Sequence, residues 1–213
     1  MKKLKVLELY AGTRSIGKAF EELGHDVFSI DYDKQHKDID WYVDINDVTA
    51  DEILERFGKP DIIWASPDCT TYSIAGISHH RTKEESGNLS PKSEYAKFCD
   101  ITNVHTHKLI DELNPKYWFI ENPRGGMRKM DFMKEKPRYT VTYCQYGDDR
   151  MKPTDIWTNH PEPKFKQMCK NGDSCHVSAP RGSKTGTQGR KGSVDRSIIP
   201  HELCLHIARI SEE

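Results

Sequence analysis

Apolar and polar positions in the first two-thirds of the chain repeat with two alternating periods, one typical of strands and one typical of helices. Gly24, Gly58 and Pro115 follow the three predicted helices, where such residues commonly end a helix. Strands that alternate with helices predict an α/β fold with a doubly wound, mostly parallel sheet and helices on both faces. Ligands of such sheets lie at the carboxyl ends of the strands. The predicted strands span residues 5–10, 27–30, 62–65, 117–120 and 139–144, and the predicted helices span 16–23, 50–57 and 95–113.

Length and composition indicate a protein with one sizeable core. The 213 residues suffice for one core plus a small appendage. No apolar run approaches the roughly 20 residues that span a bilayer, and the apolar stretch after the basic N-terminus is too short for a signal peptide. We therefore expect a cytoplasmic protein with no membrane partner. Its six cysteines are then expected to act as thiols, metal ligands or a nucleophile rather than as disulfides.

The net charge of -1 conceals an asymmetry along the chain. Residues 1–149 are net acidic, whereas residues 150–200 are net basic. A basic segment after an acidic body indicates a surface that faces a polyanion. A solvated, lysine-rich loop explains the same charge equally well.

Two strand ends carry residues suited to covalent catalysis. The apolar run 62–65 stops at Cys69, in a turn that Pro67 stiffens because proline fixes its own backbone angle. Such a turn can aim a thiol nucleophile, although free cysteines are usually small, inert core residues. Glu121 follows the strand 117–120, where a carboxylate is costly unless it is paired or used. Together they form a nucleophile and an acid, while the alternative for Glu121 is a helix cap or a partner of Arg124.

Three other strand ends predict a nucleotide-like cofactor. Residues 10–17 form a small-residue turn into a helix but lack the full G-x-G-x-x-G pattern. Asp31, after the second strand, is placed to accept both hydroxyls of a ribose. Asp44 and Ile45 follow in a third loop and could hold the edge and face of an adenine. Each acid alone is more often a turn or cap residue, but their order favours an adenosine-type cofactor without a pyrophosphate.

Three motifs then occur in the order typical of one enzyme family: residues 9–12 (LYAG), 66–73 (SPDCTTYS) and 119–123 (FIENP). Over roughly residues 4–157 the chain resembles the DNA cytosine-C5 methyltransferases, most closely their short, phage-type members. The resemblance implies the Rossmann-like methyltransferase fold, S-adenosyl-L-methionine as methyl donor, double-stranded DNA as partner and a bacterial host cytoplasm as location. It also implies that Cys69 attacks C6 of a flipped cytosine while Glu121 contacts N3 and the exocyclic amine.

The resemblance assigns further residues. Arg150 and Lys152 take the place of the family's Gln-x-Arg-x-Arg motif and are candidates for phosphate or base contacts. The donor site would include Tyr10, Ala11, Gly12, Thr13, Ser15, Ile16, Asp31, Tyr32, Asp44, Ile45 and Ser66. The substrate site would include Ser66, Pro67, Asn122 and Pro123.

Several departures from the family pattern leave alternatives open. Asp68 replaces the proline that usually precedes the nucleophile, and a neighbouring carboxylate should raise the pKa of Cys69. Arg14 replaces a glycine and could pair with a carboxylated donor. The same chemistry on RNA or a pyrimidine nucleotide, and a non-catalytic nucleic-acid-binding relative, remain alternatives to DNA methylation.

The C-terminal third is predicted to comprise two regions after a catalytic domain at 1–157. Residues 158–195 form a small basic target-recognition region or a disordered linker, and residues 196–213 form a helix that packs back on the catalytic domain. The family's final motif is not evident, so a partner chain could complete the donor site; the sequence leaves the oligomeric state open. The proposed DNA contacts are Arg181, Lys184, Thr185, Gln188 and Arg190.

Four potential metal ligands lie within seventeen residues of this region: His160, Cys169, Cys175 and His176. They could bind one Zn²⁺ and stiffen a segment too small to have its own core. The alternative is a loop that carries free thiols.

Overall fold

The computed structural model describes residues 2–178 and 192–213, apart from the side chain of Ser193. Its main element is a seven-stranded sheet in the order β3-β2-β1-β4-β7-β9-β8, and β5 and β6 form a separate hairpin. The strands are β1 (Lys5–Leu9), β2 (Asp26–Asp31), β3 (Trp41–Tyr42), β4 (Ile62–Ala65), β5 (Arg81–Lys83), β6 (Leu89–Pro91), β7 (Tyr117–Pro123), β8 (Arg138–Thr142) and β9 (Pro153–Thr158).

The helices cover both faces of the sheet. They are α1 (Ser15–Glu22), α2 (Ala50–Arg56), α3 (Ile77–His80), α4 (Glu94–Leu113), α5 (Ser193–Ser197) and α6 (His201–Ser211). Short 3₁₀ helices follow at Ile45–Asp47, Gly126–Lys129 and Tyr143–Tyr146. The predicted α/β, doubly wound and mostly parallel fold is confirmed.

The sheet is parallel over its first five strands and antiparallel at one edge. The strands β3, β2, β1, β4 and β7 pair in parallel, so their carboxyl ends meet at one edge of the sheet. The strand β9 runs antiparallel to both β7 and β8. Its N-terminal end therefore lies beside the carboxyl end of β7, because Pro123 pairs with Thr154. This reversal brings residues just before β9 to the edge where parallel sheets bind ligands.

Two apolar cores hold the layers together, one on each face of the sheet. One core joins α1 and α6 to the sheet through residues such as Ile16, Phe20 and Leu203, all fully buried. The other joins α2 and α4 through Ile53, Leu109 and Leu113. Burial of these apolar side chains is the main force that fixes the helices on the sheet.

The C-terminal helix α6 packs against α1 through its buried face, and polar contacts fix its end. His25 contacts Glu212 at 3.1 Å, and the backbone N–H of Leu4 donates to Nδ1 of the same imidazole. Within the described residues, no helix is both long enough and apolar enough to span a bilayer.

Candidate active site

The β4–β7 pairing brings the two predicted catalytic residues to one edge of the sheet. Ala65 pairs with Ile120, so the next residue on each strand, Ser66 and Glu121, also face each other. Nε1 of Trp64 donates to Oγ of Ser66 at 2.7 Å, and the Ser66 hydroxyl hydrogen-bonds to the Glu121 carboxyl group. The hydroxyl of Tyr143 donates to Oε1 of Glu121 at 3.1 Å. The carboxyl group of Glu121 is buried, and the hydroxyl groups of Tyr143 and Ser66 hydrogen-bond to it.

The loop that carries Cys69 is tied directly to the strand that carries Glu121. Nδ2 of the buried Asn122 donates to the carbonyl oxygen of Pro67 at 2.9 Å. The carbonyl oxygen of Cys69 accepts the backbone N–H groups of Tyr72 and Ser73, at 3.1 and 2.8 Å, which closes a turn just after the thiol. Cys69 itself is half-buried. Asn122, predicted as a substrate contact, is thus seen to position the nucleophile loop.

A buried arginine that the sequence reasoning missed anchors the far side of this loop. Arg81 donates from Nε to the carbonyl oxygen of Thr71 at 2.9 Å and forms a salt bridge to Asp100 of α4 at 2.8 Å. Its guanidinium group also lies over the ring of Tyr72, at 4.2 Å from the centroid. The only sequence signal is a lone arginine that opens a short strand, and it does not distinguish an anchor from a surface charge.

A glycine pair lets the polypeptide after β7 approach the same loop. The backbone N–H of Gly126 donates to the carbonyl oxygen of Tyr72 at 2.7 Å. A Cβ atom on Gly125 would lie 2.4 Å from that oxygen, so a side chain at this position would displace the loop. The Cys69 loop is therefore held by β7, by α4 and by the residues that follow β7.

Burial raises the pKa of both reactive groups. Burial, with smaller contributions from the Asp68 and Glu121 carboxylates, raises the pKa of the Cys69 thiol to about 11. Burial also raises the pKa of Glu121, against the effects of Lys152 and of the Tyr143 and Ser66 hydroxyls. Lys152 is the nearby cation that favours the ionised form of both groups. The arrangement therefore disfavours the ionised form of both groups, so the thiol needs activation.

Lys152 lies just before β9, and its charge acts on both Cys69 and Glu121. Its Nζ donates to the carbonyl oxygen of Arg196 at 2.7 Å and lies 4.6 Å from the ring centroid of Tyr143. Its backbone adopts a positive φ of 27°, which is unusual for a residue other than glycine. Burial lowers the pKa of its ammonium group, and the Glu121 carboxylate opposes that effect.

Arg150 does not join the site, which corrects the prediction that it contacts phosphate or base. Its side chain is 1% exposed and forms a buried ion pair with Asp148, with Nε 2.9 Å from Oδ1. Its remaining donors reach the carbonyl oxygens of Asp195 and Ile198, at 3.2 and 3.4 Å. Arg150 therefore joins the segment before β9 to the C-terminal part of the chain.

A cavity of about 280 Å³ lies beside the Cys69 loop, at the carboxyl ends of β1 and β2. Five of the residues predicted to bind a donor line it: Tyr10, Asp31, Tyr32, Asp44 and Ile45. The helix α4 supplies a wall that the sequence reasoning missed, made of Tyr95, Phe98, Cys99, Thr102 and Asn103. These positions recur at helical spacing along one face, which is the signal that could have identified them.

The other predicted donor residues do not line this cavity. Ile16 is fully buried in the core between α1 and the sheet, which corrects its assignment. Ser66 hydrogen-bonds to Glu121 instead. The backbone N–H of Gly12 donates to Oδ2 of Asp31 at 2.9 Å and so orients that carboxylate. Outside the cavity lining lie Ala11, Thr13 and Ser15, the last with its Oγ 2.8 Å from Oγ1 of Thr13.

Arg14 points away from the cavity, so the reason to expect a carboxylated donor is absent. Its Nη2 lies 2.5 Å from Oε1 of Glu21, on the same helix. It also lies beside the buried Glu8, whose pKa burial raises to about 7. The cavity is lined by three carboxylates, Asp31, Asp44 and Asp68, and by no lysine or arginine among the described residues.

Predictions in the C-terminal region have mixed outcomes. Arg181, Lys184, Thr185, Gln188 and Arg190 lie outside the described residues. His160 is not near the other proposed metal ligands, which corrects its assignment. Its Nε2 lies 3.0 Å from the carbonyl oxygen of Ile210, and its ring packs 4.3 Å from that of Tyr117. Cys144 takes its place beside Cys169, Cys175 and His176.

Known proteins are similar to this chain in sequence. The sequence model of the C-5 cytosine-specific DNA methylase family matches residues 4–139. A protein of Frog virus 3 (isolate Goorha) named "Probable DNA (cytosine-5)-methyltransferase" is 30% identical, over 91% of this chain and 92% of that protein.

Solved structures share the fold at low sequence identity. A DNA modification methyltransferase encoded within an E. coli prophage has a TM-score of 0.52 at 15% identity, over 73% of this chain and 46% of its own. S. pombe Dnmt2 has a TM-score of 0.52 at 17% identity, and the match covers 73% of this chain and 50% of that protein. Entamoeba histolytica EhMeth has a TM-score of 0.53 at 12% identity, and the match covers 86% of this chain and 58% of that protein. The chain thus spans about half the length of these structures.

The exposed Asp68 should set the reactivity of the neighbouring thiol. Its Oδ1 accepts the backbone N–H of Thr70 at 2.6 Å, which holds the carboxylate next to Cys69. We expect Asp68→Asn to lower the pKa of Cys69 and to speed its alkylation by iodoacetamide at pH 8 by roughly threefold, the effect of one adjacent exposed charge. Peptide mass spectrometry would follow Cys69 alone.

Free glutathione, added to the same reaction, serves as the reference thiol. Asp33→Asn removes a carboxylate outside the loop and is the matched control. An equal rate for Cys69 in the parent protein and in Asp68→Asn would contradict the electrostatic account.

Proposed function

Because the chain belongs to the family of C-5 cytosine-specific DNA methylases, we propose that it methylates C5 of cytosine in double-stranded DNA. The donor is S-adenosyl-L-methionine, and the reaction passes through a covalent bond between Sγ of Cys69 and C6 of the base. One observation carries the proposal: Cys69 and Glu121 occupy adjacent strand ends, tied together by Asn122, beside a cavity of about 280 Å³.

The residues that line the cavity fit this donor. Each oxygen of Asp31 accepts one backbone N–H, from Gly12 at 2.9 Å and from Asp33 at 2.8 Å, and keeps a free lone pair for a ribose hydroxyl. Ile45 and Tyr32 offer apolar faces for an adenine. Three carboxylates without a basic partner suit a cationic donor and disfavour a pyrophosphate. Bound S-adenosyl-L-methionine supplies an electrophilic methyl group at this place.

The catalytic steps assign one role to each side chain. A cytosine flipped out of the duplex would place its ring between Cys69 and Glu121. The thiol loses its proton to water and Sγ forms a bond to C6. The electrons of the C5–C6 double bond move toward N3, which takes the proton of Glu121, and C5 becomes nucleophilic. C5 takes the methyl group as S-adenosyl-L-homocysteine leaves, and N3 returns its proton to Glu121. The hydrogen on C5 then leaves as a proton to water. The electrons of that C–H bond restore the C5–C6 double bond, the S–C6 bond breaks, and Cys69 is released.

The raised pKa of Glu121 supports the proton-donor role. Burial raises the pKa of the Glu121 carboxyl group, and a protonated carboxyl group can donate a hydrogen bond that a carboxylate cannot. Lys152 favours the thiolate of Cys69 by its charge. It therefore offsets the effect of Asp68 when the base excludes water from the site.

The basic segment supports a polyanionic substrate. Residues 150–200 carry the excess of positive charge in the chain. Residues 158–195 are proposed as the target-recognition region, with DNA contacts at Arg181, Lys184, Thr185, Gln188 and Arg190. Pro67 and Pro123 shape the edges of the base site. A location in the cytoplasm of a bacterial host stays a prediction.

Transfer of a labelled methyl group tests the proposal. Purified protein is incubated with radiolabelled S-adenosyl-L-methionine and duplex DNA, tRNA or dCMP. We expect label in DNA as 5-methylcytosine, and no label in DNA with Cys69→Ser, because the reaction needs the S–C6 bond. Glu121→Gln should slow transfer by about a hundredfold or more, since it removes the proton donor.

Donor binding, measured by calorimetry, is the control, and both variants should retain it because neither residue lines the donor cavity. Label in tRNA or dCMP but not in DNA would replace the proposed substrate. DNA binding without transfer to any substrate would contradict the enzymatic proposal.

Lys152 provides a pH-dependent test. Lys152→Met removes the positive charge that lowers the pKa values of Cys69 and Glu121, so both pKa values should rise. The single-turnover rate is expected to fall by about tenfold at pH 7, for a shift of about one pH unit, and to recover as the pH rises.

Lys152→Arg should keep most of the rate, because it keeps the charge. Lys59→Met, at the opposite end of β4, is the control for a general effect of lost charge. An unchanged pH profile in Lys152→Met would exclude the electrostatic role.

A further inference from the structure

Three sulfur atoms and one ring nitrogen converge away from the catalytic site. They are Sγ of Cys144, Cys169 and Cys175 and Nδ1 of His176, and all four atoms lie within 4.8 Å of one another. Sγ of Cys175 lies 3.6 Å from Sγ of Cys144 and 3.5 Å from Nδ1 of His176. Nδ1 of His176 lies 3.8 Å from Sγ of Cys169. No other group of this kind occurs among the described residues.

These separations are close to those of a tetrahedral metal site. With Zn–S bonds of about 2.3 Å and Zn–N bonds of about 2.0 Å, two sulfur ligands lie about 3.8 Å apart and a sulfur–nitrogen pair about 3.5 Å apart. The Cys144–Cys169 distance of 3.1 Å is the one short separation. A small displacement of either side chain would therefore complete the geometry.

A metal accounts for the cluster better than a disulfide does. A disulfide joins two sulfur atoms at about 2.05 Å and would leave the third thiol and the imidazole without a role. Three thiolates and one imidazole are a common ligand set of structural zinc sites. Softer thiolate ligands also select Zn²⁺ over Mg²⁺ or Ca²⁺.

Neighbouring groups orient the four ligands. Nε2 of Gln145 lies 3.5 Å from Sγ of Cys175, and the backbone N–H of Cys169 donates to Oγ1 of Thr142 at 3.1 Å. Nε2 of His176 lies 3.5 Å from Oγ of Ser178, which leaves Nδ1 to face the sulfur atoms. Metal-bound imidazoles usually have such a partner on the second nitrogen.

The segment that supplies three of the ligands has no core of its own. Residues 159–178 contain no helix or strand, and few of their side chains are buried. The N–H of Cys169 donates to Oγ1 of Thr142, at the end of β8, and the N–H of Val177 donates to the carbonyl oxygen of Asp149, in the segment before β9, at 2.9 Å. A segment of this size cannot form a core of its own and commonly depends on a metal or a disulfide.

We propose that Cys144, Cys169, Cys175 and His176 bind one structural Zn²⁺ that fixes residues 166–178 to the 3₁₀ helix Tyr143–Tyr146. The same 3₁₀ helix carries Tyr143, which donates to Glu121. The metal thus joins the polypeptide that leads into residues 179–191 to the wall of the active site. The metal site itself does not depend on the proposed methyl transfer.

Metal content tests the proposal on the full chain. Protein purified under reducing conditions in the presence of Zn²⁺ and then desalted should contain about one zinc ion per chain by plasma mass spectrometry. Cys175→Ser alters the exposed ligand and should fold well. It should lower zinc affinity by more than about a hundredfold, because even the partners of metal ligands contribute 10–100-fold. Cys204→Ser removes a cysteine of the α6 core and should keep the zinc.

Two further measurements do not depend on variants. Co²⁺ added to metal-free protein should give the absorption bands of a tetrahedral, thiolate-ligated ion. Alkylation with and without a chelator should show that zinc protects Cys144, Cys169 and Cys175 and leaves the reaction of Cys69 unchanged.

Zinc-free protein without a Co²⁺ spectrum would overturn the proposal. So would zinc that survives in Cys175→Ser and Cys144→Ser at unchanged affinity. A Cys144–Cys169 disulfide in protein kept under reducing conditions would assign the cluster a redox role instead and also refute it.

Discussion

Parallel pairing of β4 with β7 is the constraint on which the site depends. It brings the tips of two buried strands to one edge of the sheet, in the register that sets Ala65 beside Ile120. The hydrogen bond from Asn122 to the carbonyl oxygen of Pro67 then fixes the position of the Cys69 loop relative to β7. Because the side-chain period of a strand is two, a slip of one residue would turn Glu121 away from the site.

The electrostatics of the site follow from that proximity. A thiol and a carboxyl group share a partly dry space, so both favour their neutral forms, and Lys152 is the cation that opposes this preference. Asp68 makes the thiol harder to ionise than a proline at the same position would. The cavity lies beside the same loop and is lined by three carboxylates, whereas residues 150–200 carry a net positive charge.

The spacing of apolar residues along the chain was sufficient to predict the longer strands and helices. The predicted strands and helices lie within a few residues of observed ones, and the strand ends pointed to Cys69 and Glu121, but the short elements β3, α3, β5 and β6 were not predicted. The strand β9 was not predicted, since it begins at a proline and one of its two partners, β7, is distant in the sequence. The anchoring role of Arg81 and the burial of Arg150 could not be predicted, because both depend on tertiary contacts. Cys144 was missed as a metal ligand because it precedes Cys169 by 25 residues.

A covalent trap tests the central claim most directly. Duplex DNA with 5-fluorocytosine at the target base is incubated with the protein and S-adenosyl-L-methionine, and the adduct is digested for peptide mass spectrometry. Fluorine at C5 cannot leave as a cation, so the reaction should stop after methyl transfer with the base still bound to sulfur. The account predicts a single modified peptide that carries the base on Cys69. Methylation of ordinary cytosine with no adduct on fluorocytosine, or an adduct on a different cysteine, would contradict it.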